Sequence, residues 1–369
     1  MDPTMKFVNV SRTDFFAVLK SRVDNYFAES QRSRFGDYRM VLKTLAMLSM
    51  LYVPYVLVLG ELVPGWAMFC LAVVMGVGVA GIGMSVMHDA NHNAYSSVRW
   101  VNRLLGYTIN LVGGNAHTWK MQHNVLHHTY TNIEHMDEDI NTNMFLVFTP
   151  SRKRYVFHKF QHTYAFFFYG LLTFNWFVTK DFVQFFKYQK RGLGGLSTYA
   201  AIREFLILSS TKILYFTYML VIPLIVMDAA WWQIVLGFLM MQFTTGLILS
   251  VIFQLAHVVE GTDQPLPNEE GNIENEWAIH QLHTTANFAR RNKILSWYIG
   301  GLNYQIEHHL FHGICHIHYP ALSEIVQRTA AEFQVPYIEY RSFFSALRSH
   351  VQILKKLGHG EPLVPQPTT

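Results

Sequence analysis

The sequence predicts an all-α integral membrane protein, with four transmembrane helices in two hairpins and a helical cap on the cytoplasmic side. Three observations support this fold class: 51% of the 369 residues are hydrophobic, only 15% are charged, and the mean hydropathy is +0.15. A soluble domain has about 25% charged residues, so too few charges remain here to cover the surface of a water-soluble enzyme of this length. Such an apolar composition also excludes a disordered chain.

Charge and cysteine content exclude two further classes of protein. The net charge is only +4, and no long basic tract interleaves with aromatic residues, so we expect no nucleic-acid partner. The two cysteines, Cys70 in an apolar run and Cys315 in a histidine-rich segment, give neither a disulfide framework nor a four-thiolate zinc site.

Four apolar stretches are candidate membrane spans, since a helix rises about 1.5 Å per residue and crosses the hydrocarbon core in about 20 residues. They form two pairs, 44–59 with 66–87 and 213–227 with 231–255. The first stretch lies well inside the chain, after several basic residues, so it is not a cleavable signal peptide. Two shorter apolar stretches, 104–112 and 164–178, are either interfacial helices or packed core of the cap.

The orientation follows from the lysines and arginines. Neither short hairpin loop contains one, so all twenty-nine lie on the opposite side of the membrane, which is the cytoplasmic side by the positive-inside rule. The membrane is then a bacterial inner membrane or the endoplasmic reticulum. The single predicted domain, 1–369, comprises a cytoplasmic N-terminal segment (1–43), the first hairpin (44–88), a cytoplasmic cap (89–210), the second hairpin (211–257) and a cytoplasmic C-terminal segment (258–369).

Histidine is the most informative residue type in the chain. Fifteen of the nineteen histidines fall within 88–135 and 257–318, and each window begins where the second span of a hairpin ends. An unpaired polar ring near lipid is costly, so burial alone does not explain these clusters. The sequence therefore predicts a metal site beneath the lipid surface.

The spacing of the histidines fits metal ligation. His88 and His92 are four residues apart, which places both rings on one face of a helix. His123 and His127 repeat this step, and His128 adds a ring on another face, as a second metal requires. A further adjacent pair, at 308 and 309, follows Gln305, and the fourth span ends at position 257. Because eight histidines exceed the four ligands of one zinc, the sequence predicts two metals.

Nitrogen-rich sites suit zinc, copper, nickel and iron. A site joined to an apolar interior is placed to act on a lipid chain, whose methylene carbons carry neither a leaving group nor an acidic proton. Zinc hydrolysis cannot attack such a carbon, whereas two reduced irons can form a strong enough oxidant from dioxygen. This comparison favours two Fe²⁺ ions, with O₂ as co-substrate.

Three motifs resemble the histidine boxes of the membrane fatty acid desaturases: HDANH from His88, HNVLHH from His123 and QIEHH from Gln305. Glutamine at the start of the third box resembles the front-end branch, which inserts a double bond between an existing one and the carboxyl end. The likeness extends over roughly 35–347, and His257 matches a further ligand of the family. It implies a cis double bond formed in a fatty acyl-CoA or acyl-lipid, with these metal ligands: His88, His92, His123, His127, His128, His257, Gln305, His308 and His309.

The sequence departs from the front-end pattern in two places. The His-Pro-Gly-Gly motif of a fused haem domain is absent, so the expected electron donor is a separate ferredoxin or cytochrome-b-type protein with its reductase. His312 stands where proline is common, and we expect it to lie with His316 and His318 on the cytoplasmic surface or behind the ligands. Possible supporting residues around the ligating imidazoles are His280, His283, Asp89, Asp137, Asp139, Glu260 and Glu307.

Two other functions remain open from the residues alone. A di-iron hydroxylase would use the same site and add oxygen instead of removing two hydrogens. A membrane zinc hydrolase would need one zinc and no reductant. The apolar motif Gly76-Val-Gly78-Val-Ala-Gly81 matches a dinucleotide fingerprint by letter, but it lies inside a predicted span. Tight helix packing or room for an acyl chain explains it better.

Overall fold

The computed structural model describes residues 5–141 and 144–363, which are mostly helical. These residues form two compact units. The histidine unit comprises the described residues of Met1–Gly36, Gln122–Ala165 and Ile252–Thr369. The span unit comprises Asp37–Met121 and Phe166–Val251.

Four helices in the described part of the chain are long and apolar enough to cross a membrane, which confirms the predicted number. They are the first span, Tyr38–Leu59; the second, Gly65–Asn91; the third, Thr198–Val226; and the fourth, Trp231–His257. Residues 252–257 of the fourth helix belong to the histidine unit. Only short connections separate the first from the second span and the third from the fourth, as two hairpins require.

The third helix begins fifteen residues earlier than the stretch 213–227 that hydropathy indicated. Ser197 caps its start by accepting a hydrogen bond from the amide of Ala200. Lys212 lies inside the helix, where it donates a 2.6 Å hydrogen bond to the buried carboxylate of Asp181. A paired lysine is compatible with the interior of an apolar helix, so the helix continues through this position.

The glycine motif packs helices together, which was one of its two sequence interpretations. A Cβ atom added to Gly76 would lie 2.5 Å from the carbonyl oxygen of Met241, on the fourth span. One added to Gly78 would lie 2.9 Å from the backbone nitrogen of Leu51, on the first span. These close approaches require residues without a side chain.

Gly76→Ala is therefore expected to lower the thermal stability of the detergent-solubilised protein, by roughly 1–3 kcal/mol in unfolding free energy, because backbone must move to admit the methyl group. Gly237→Ala is the matched control. Its Cβ would meet only the Cβ of Ala72, at an ordinary 3.9 Å, so stability should not fall. Equal melting temperatures for the two variants would contradict the packing role.

Within the described residues, four helical segments have the wider π-helical turn: Ile82–Met87, Met121–His127, Trp176–Lys180 and Thr217–Val221. Such segments often occur at functional sites. The first directly precedes His88, and the second contains His123 and His127. The wider turn changes which residues are neighbours on the helix surface, because its hydrogen bonds join residues five apart.

The span unit contains several shorter helices besides the four spans. They are Arg99–Gly106, Thr108–Leu111, Ala116–Lys120, Leu172–Asn175 and Asp181–Arg191. Gln161–Gly170 begins in the histidine unit and ends in the span unit. The predicted stretches 104–112 and 164–178 thus form short helices, whereas their depth in the membrane remains a prediction.

The histidine unit is built around a core of apolar side chains. The helix Phe15–Ser30 buries Phe15, Leu19 and Val23 against the helices Trp277–Thr284 and Tyr319–Glu332. Two short parallel strands, Ala286–Phe288 and Ile338–Tyr340, pair with Ala286 opposite Ile338. The remaining helices of this unit are His128–Tyr130, Val156–Phe160, Lys293–Tyr298, Gln305–Phe311, His316–His318 and Phe343–His359.

Candidate metal centre

Three buried histidines of the histidine unit converge from separate parts of the chain. His127 ends a π-helical segment, His257 ends the fourth span, and His309 lies on the helix Gln305–Phe311. One ring nitrogen from each lies within 4.8 Å of the others. The ring centroids are 4.7 Å apart for His127 and His257, and 4.9 Å apart for each pair that includes His309. This spacing allows one metal ion to bind all three.

Each of these rings is held through its Nδ1 atom. Nδ1 of His127 lies 3.0 Å from the carboxylate of Asp137, and that of His309 lies 2.7 Å from Oε1 of Gln281. Nδ1 of His257 lies 3.3 Å from the carbonyl oxygen of Thr284. A ring that donates from Nδ1 presents the lone pair of Nε2, which is the usual arrangement around a metal-ligating histidine. Among the described residues, Nε2 of His127 and of His257 has no hydrogen-bond partner.

Asp137 gives the site a negative charge. It is fully buried and accepts hydrogen bonds from the backbone amides of Asn132 and Asp139, both at 2.9 Å. Burial alone would lower the pKa of the His127 imidazole, but the nearby Asp137 and Asp139 carboxylates raise that pKa to about 9. The two carboxylates therefore stabilise positive charge at this imidazole, whether a proton or a metal ion supplies it.

Asp137→Asn is expected to weaken metal binding about 10- to 100-fold, the usual effect of losing a partner behind a ligating histidine. A chelator-competition titration of the purified protein would measure this change. Asp263→Asn is a suitable control, because Asp263 forms a half-exposed pair with His283. Unchanged metal affinity in Asp137→Asn would contradict its role in orienting His127.

Three further box histidines adjoin this trio. Nε2 of His123 lies 3.2 Å from Nε2 of His128, and the rings of His128 and His308 are 4.6 Å apart. The sequence interpretation placed His123 and His128 on different helix faces. The π-helical segment brings them together instead, because residues five apart become neighbours. Since the rings of His128 and His309 are only 4.5 Å apart, the six histidines form one continuous cluster.

The first box lies in the span unit. The rings of His88 and His92 are 4.8 Å apart, as their spacing predicted, and both are buried. Trp119 packs edge-on against the two rings, with centroid distances of 5.6 and 5.7 Å. The Asp89 carboxylate lies 3.9 Å from Nδ1 of His88, which is too long for a direct hydrogen bond.

Gln305 and His280 are both buried in the histidine unit. Gln305 is buried at the start of its helix, and its Oε1 atom has no hydrogen-bond partner within the described residues. Nε2 of His280 lies 2.9 Å from the carbonyl oxygen of Thr131, four residues after His127. Burial lowers the pKa of His280 to about 4, so its ring is neutral near pH 7.

Other predicted supporting residues have different partners. The carboxylate of Glu260 forms a 2.5 Å ion pair with Lys356, and His283 pairs with Asp263 at 3.0 Å. Glu307 is fully buried and accepts hydrogen bonds from Asn287 at 2.8 Å and Tyr337 at 2.9 Å. These contacts do not place the three predicted residues behind the ligating rings. Glu307 instead fixes the helix that carries the third box.

The histidines that follow the third box take the second of their two expected positions, behind the clustered rings and away from the surface. The ring of His312 lies 4.9 Å from that of His128, so it adjoins the cluster. His316 and His318 are buried, and His318 packs edge-on against Phe27 at 5.1 Å. Hydropathy could not predict this burial, because the covering helix Phe15–Ser30 is distant in the sequence.

Sequence reasoning missed several polar residues that hold the site together. The amide group of Asn132 donates to the carbonyl oxygens of His257, Asp263 and Thr284, at 2.9, 3.1 and 3.2 Å. Its backbone is left-handed, with φ 58°, a conformation that asparagine tolerates better than most residues. Thr131 and Gln281 are joined by a 2.9 Å hydrogen bond beside His309. In the sequence, only the position of Asn132, four residues after the second box ends, could have indicated such a supporting role.

The donor set fits a first-row transition metal. Imidazole nitrogens suit iron, zinc, copper and nickel alike, so the ligands alone do not select iron. His127, His257 and His309 supply three nitrogens within reach of one ion, and three further histidines of the same unit adjoin them. This arrangement supports metal-dependent chemistry in a buried site.

Comparison with known proteins identifies the family. The family model for "Fatty acid desaturase" matches residues 64–341. The chain is 36% identical to the sn-1 linoleoyl-lipid 6-desaturase of Arthrospira platensis, over 92% of this chain and 91% of that protein. It is also 36% identical to the enzyme of the same name from Synechocystis sp., over 93% and 95% of the two chains. The acyl-lipid (8-3)-desaturase of Physcomitrium patens is 35% identical, over 96% of this chain and 74% of that one. The histidine cluster and these relatives lead to one conclusion, that this chain belongs to the fatty acid desaturase family and is a membrane oxidoreductase.

Proposed function

We propose that this protein is a front-end acyl-lipid desaturase. It inserts a cis double bond between an existing double bond and the carboxyl end of a fatty acyl chain esterified in a membrane lipid. The observation that carries the proposal is the convergence of His127, His257 and His309, each held through Nδ1. The substrate class rests on relatives named for a linoleoyl-lipid and for acyl-lipids. A linoleoyl chain is already unsaturated beyond carbon 6, so desaturation there is front-end.

The proposed metal ligands are those of the three boxes with His257 and Gln305, and the proposed metals are two irons. Six of the ligands form the cluster of the histidine unit. His88 and His92 complete the proposed set as a buried adjacent pair. When bound, two reduced irons supply the oxidising power with dioxygen that removal of two hydrogens from neighbouring methylene carbons requires.

The residues of the chain prepare this chemistry in three ways. Asp137, Gln281 and the Thr284 carbonyl fix the orientation of three ligating rings, which limits the reorganisation needed for metal binding. Tyr319 contacts Nδ1 of His308 at 3.2 Å and holds a fourth ring. Burial of the cluster excludes bulk water, so a reactive oxidant meets the acyl chain instead of solvent.

The remaining parts of the proposal concern topology and electron supply. Both termini and the histidine unit lie on the cytoplasmic side, because lysine and arginine are absent from 60–65 and 228–230. Electrons come from a one-electron carrier, either a ferredoxin or a cytochrome-b-type protein with its reductase. Either carrier would dock on the cytoplasmic surface of the protein.

Expression in a host of defined fatty-acid composition tests the proposal. The cells receive linoleate, and gas chromatography with mass spectrometry analyses the acyl chains of separated lipid classes and of the acyl-CoA pool. The proposal predicts a product with two fewer hydrogens, its new double bond on the carboxyl side, appearing first in lipid. His309→Ala is the inactive control.

Three outcomes contradict specific parts of the proposal. A product that gains one oxygen identifies a hydroxylase. A new double bond on the methyl side excludes front-end chemistry, and first appearance of the product in acyl-CoA excludes the acyl-lipid substrate.

A further inference from the structure

The span unit contains a cavity of about 330 Å³. It lies at that end of the four spans where the hairpin loops connect them. All four spans contribute to its walls. Representative lining residues are Tyr55, Met68, Met75, Met219, Trp232 and Met241. Met75 and His88 lie on one continuous helical span, thirteen residues apart, which corresponds to about 20 Å. The cavity is therefore separate from the first histidine box.

The lining is apolar and adaptable. Five methionines line it, and methionine side chains adjust to ligands of irregular shape. Its few polar groups already have partners: the Tyr55 hydroxyl donates to the carbonyl oxygen of Tyr218, and Oε1 of Gln233 accepts from the amide of Ala230 at 3.1 Å. A water molecule needs two to four polar partners. A cavity of this kind excludes water and accepts an apolar guest.

The mouth of the cavity lies at the level of a tryptophan belt. Trp66 adjoins the lining residue Gly65, and Trp231 adjoins the lining residue Trp232. All three tryptophans are strongly exposed, by 74%, 70% and 53% for Trp66, Trp231 and Trp232. Tryptophan is enriched where the hydrocarbon core meets the head groups. A guest entering here comes from the membrane leaflet on the loop side.

The charges beside the mouth restrict the head group of such a guest. The loop segments 60–65 and 228–230 carry Glu61 and Asp228 but no lysine or arginine. Glu61 accepts a 3.1 Å hydrogen bond from the amide of Ala229, so its carboxylate is fixed beside the opening. An anionic head group would meet these two carboxylates without a compensating cation.

We propose that this cavity binds one acyl chain of a neutral or zwitterionic membrane lipid from the loop-side leaflet. A dry cavity of about 150 Å³ accepts benzene, so one of twice this volume accommodates a chain segment of about a dozen carbons. The bound lipid is a structural component that joins the two hairpins. It is distinct from the substrate, whose reacting carbons must reach the histidines.

Gly237→Phe tests the proposal by filling the cavity from the fourth span. A Cβ at Gly237 meets only Ala72, at 3.9 Å, so the added ring has room to enter. Leu239→Phe is the matched control, because Leu239 is on the same helix and exposed. Lipids that remain after detergent purification are extracted and quantified by mass spectrometry. Wild type and Leu239→Phe retain a stoichiometric neutral or zwitterionic lipid, and Gly237→Phe loses it.

Addition of lipid to delipidated wild-type protein provides a test that needs no variant. Phosphatidylethanolamine should raise the melting temperature in detergent more than phosphatidylglycerol with the same acyl chains. The proposal is overturned if the two lipids act equally, if the retained lipid is anionic, or if Gly237→Phe keeps its lipid. A folded Gly237→Phe that retains the lipid but desaturates shorter chains assigns the cavity to the substrate instead.

Discussion

Replacement of His127 with alanine should abolish double-bond formation while the protein remains inserted in the membrane. His127 contributes to the trio with His257 and His309, and its Nδ1 atom lies 3.0 Å from the buried Asp137 carboxylate. Since loss of a residue behind a ligand already costs about 10- to 100-fold in metal affinity or activity, loss of the ligand itself should cost more than about 100-fold. Gas chromatography of acyl chains and metal analysis of the purified variant measure both effects.

His359→Ala is the control for this result. His359 is exposed near the end of the last helix, where Nδ1 lies 2.8 Å from the carbonyl oxygen of Lys355. This variant should keep wild-type activity and metal content. An active His127→Ala protein that retains its full complement of metal would show that this imidazole is not a ligand.

The second large effect concerns stability. Lys212 in the third span donates hydrogen bonds to the carbonyl oxygens of Gly113 and Trp176, at 2.5 and 3.0 Å, and to Asp181 at 2.6 Å. Asp181 also accepts a 2.8 Å hydrogen bond from the hydroxyl of Thr118. Removal of one partner from a buried ion pair costs about 3–5 kcal/mol, because the other charge is left uncompensated. Lys212→Met should therefore strongly lower the melting temperature in detergent.

Replacement of both charged residues distinguishes loss of the ion pair from loss of side-chain packing as the cause of the lower stability. In the double variant Lys212→Met with Asp181→Leu, neither charge of this pair remains, so much of the stability should return. Measurement of all four melting temperatures completes a double-mutant cycle. If the double variant loses as much stability as the two single variants together, the result would contradict the pairing of Lys212 with Asp181.

This ion pair also bears on the first histidine box. Thr118, bound to Asp181, directly precedes Trp119, whose ring packs against His88 and His92. The network thus fixes the short helix Ala116–Lys120 that carries this tryptophan. A stability defect in Lys212→Met should accordingly be accompanied by disturbed packing of the His88 and His92 rings.

The sequence was sufficient to predict the spans because long apolar runs are a local signal. The third helix begins earlier than the apolar stretch, which starts only after the charge of Lys212 interrupts the apolar run. The partner that allows burial, Asp181, is distant in the sequence. For Gly76 and Gly78 the sequence left two explanations, helix packing or room for an acyl chain, and only the close approach of neighbouring backbone distinguishes them.

The candidate site could be predicted in part. Box spacing indicated that His88 and His92 are neighbours, but it assumed an α-helix around His123 and His128, where the chain forms a π-helix. Apart from Asp137, the sequence did not indicate the hydrogen-bond partners of the clustered histidine rings. Gln281, for example, carries no periodic or compositional signal, and its role depends on a hydrogen bond to a histidine 28 residues away.

The metal content of the purified protein is the most direct test of the central claim, that clustered imidazoles hold two irons. Protein expressed with iron available should contain two irons per chain and little zinc, with iron lost in His127→Ala and also reduced in His88→Ala. A protein that contains a single zinc, or that keeps two irons in both variants, would contradict the claim.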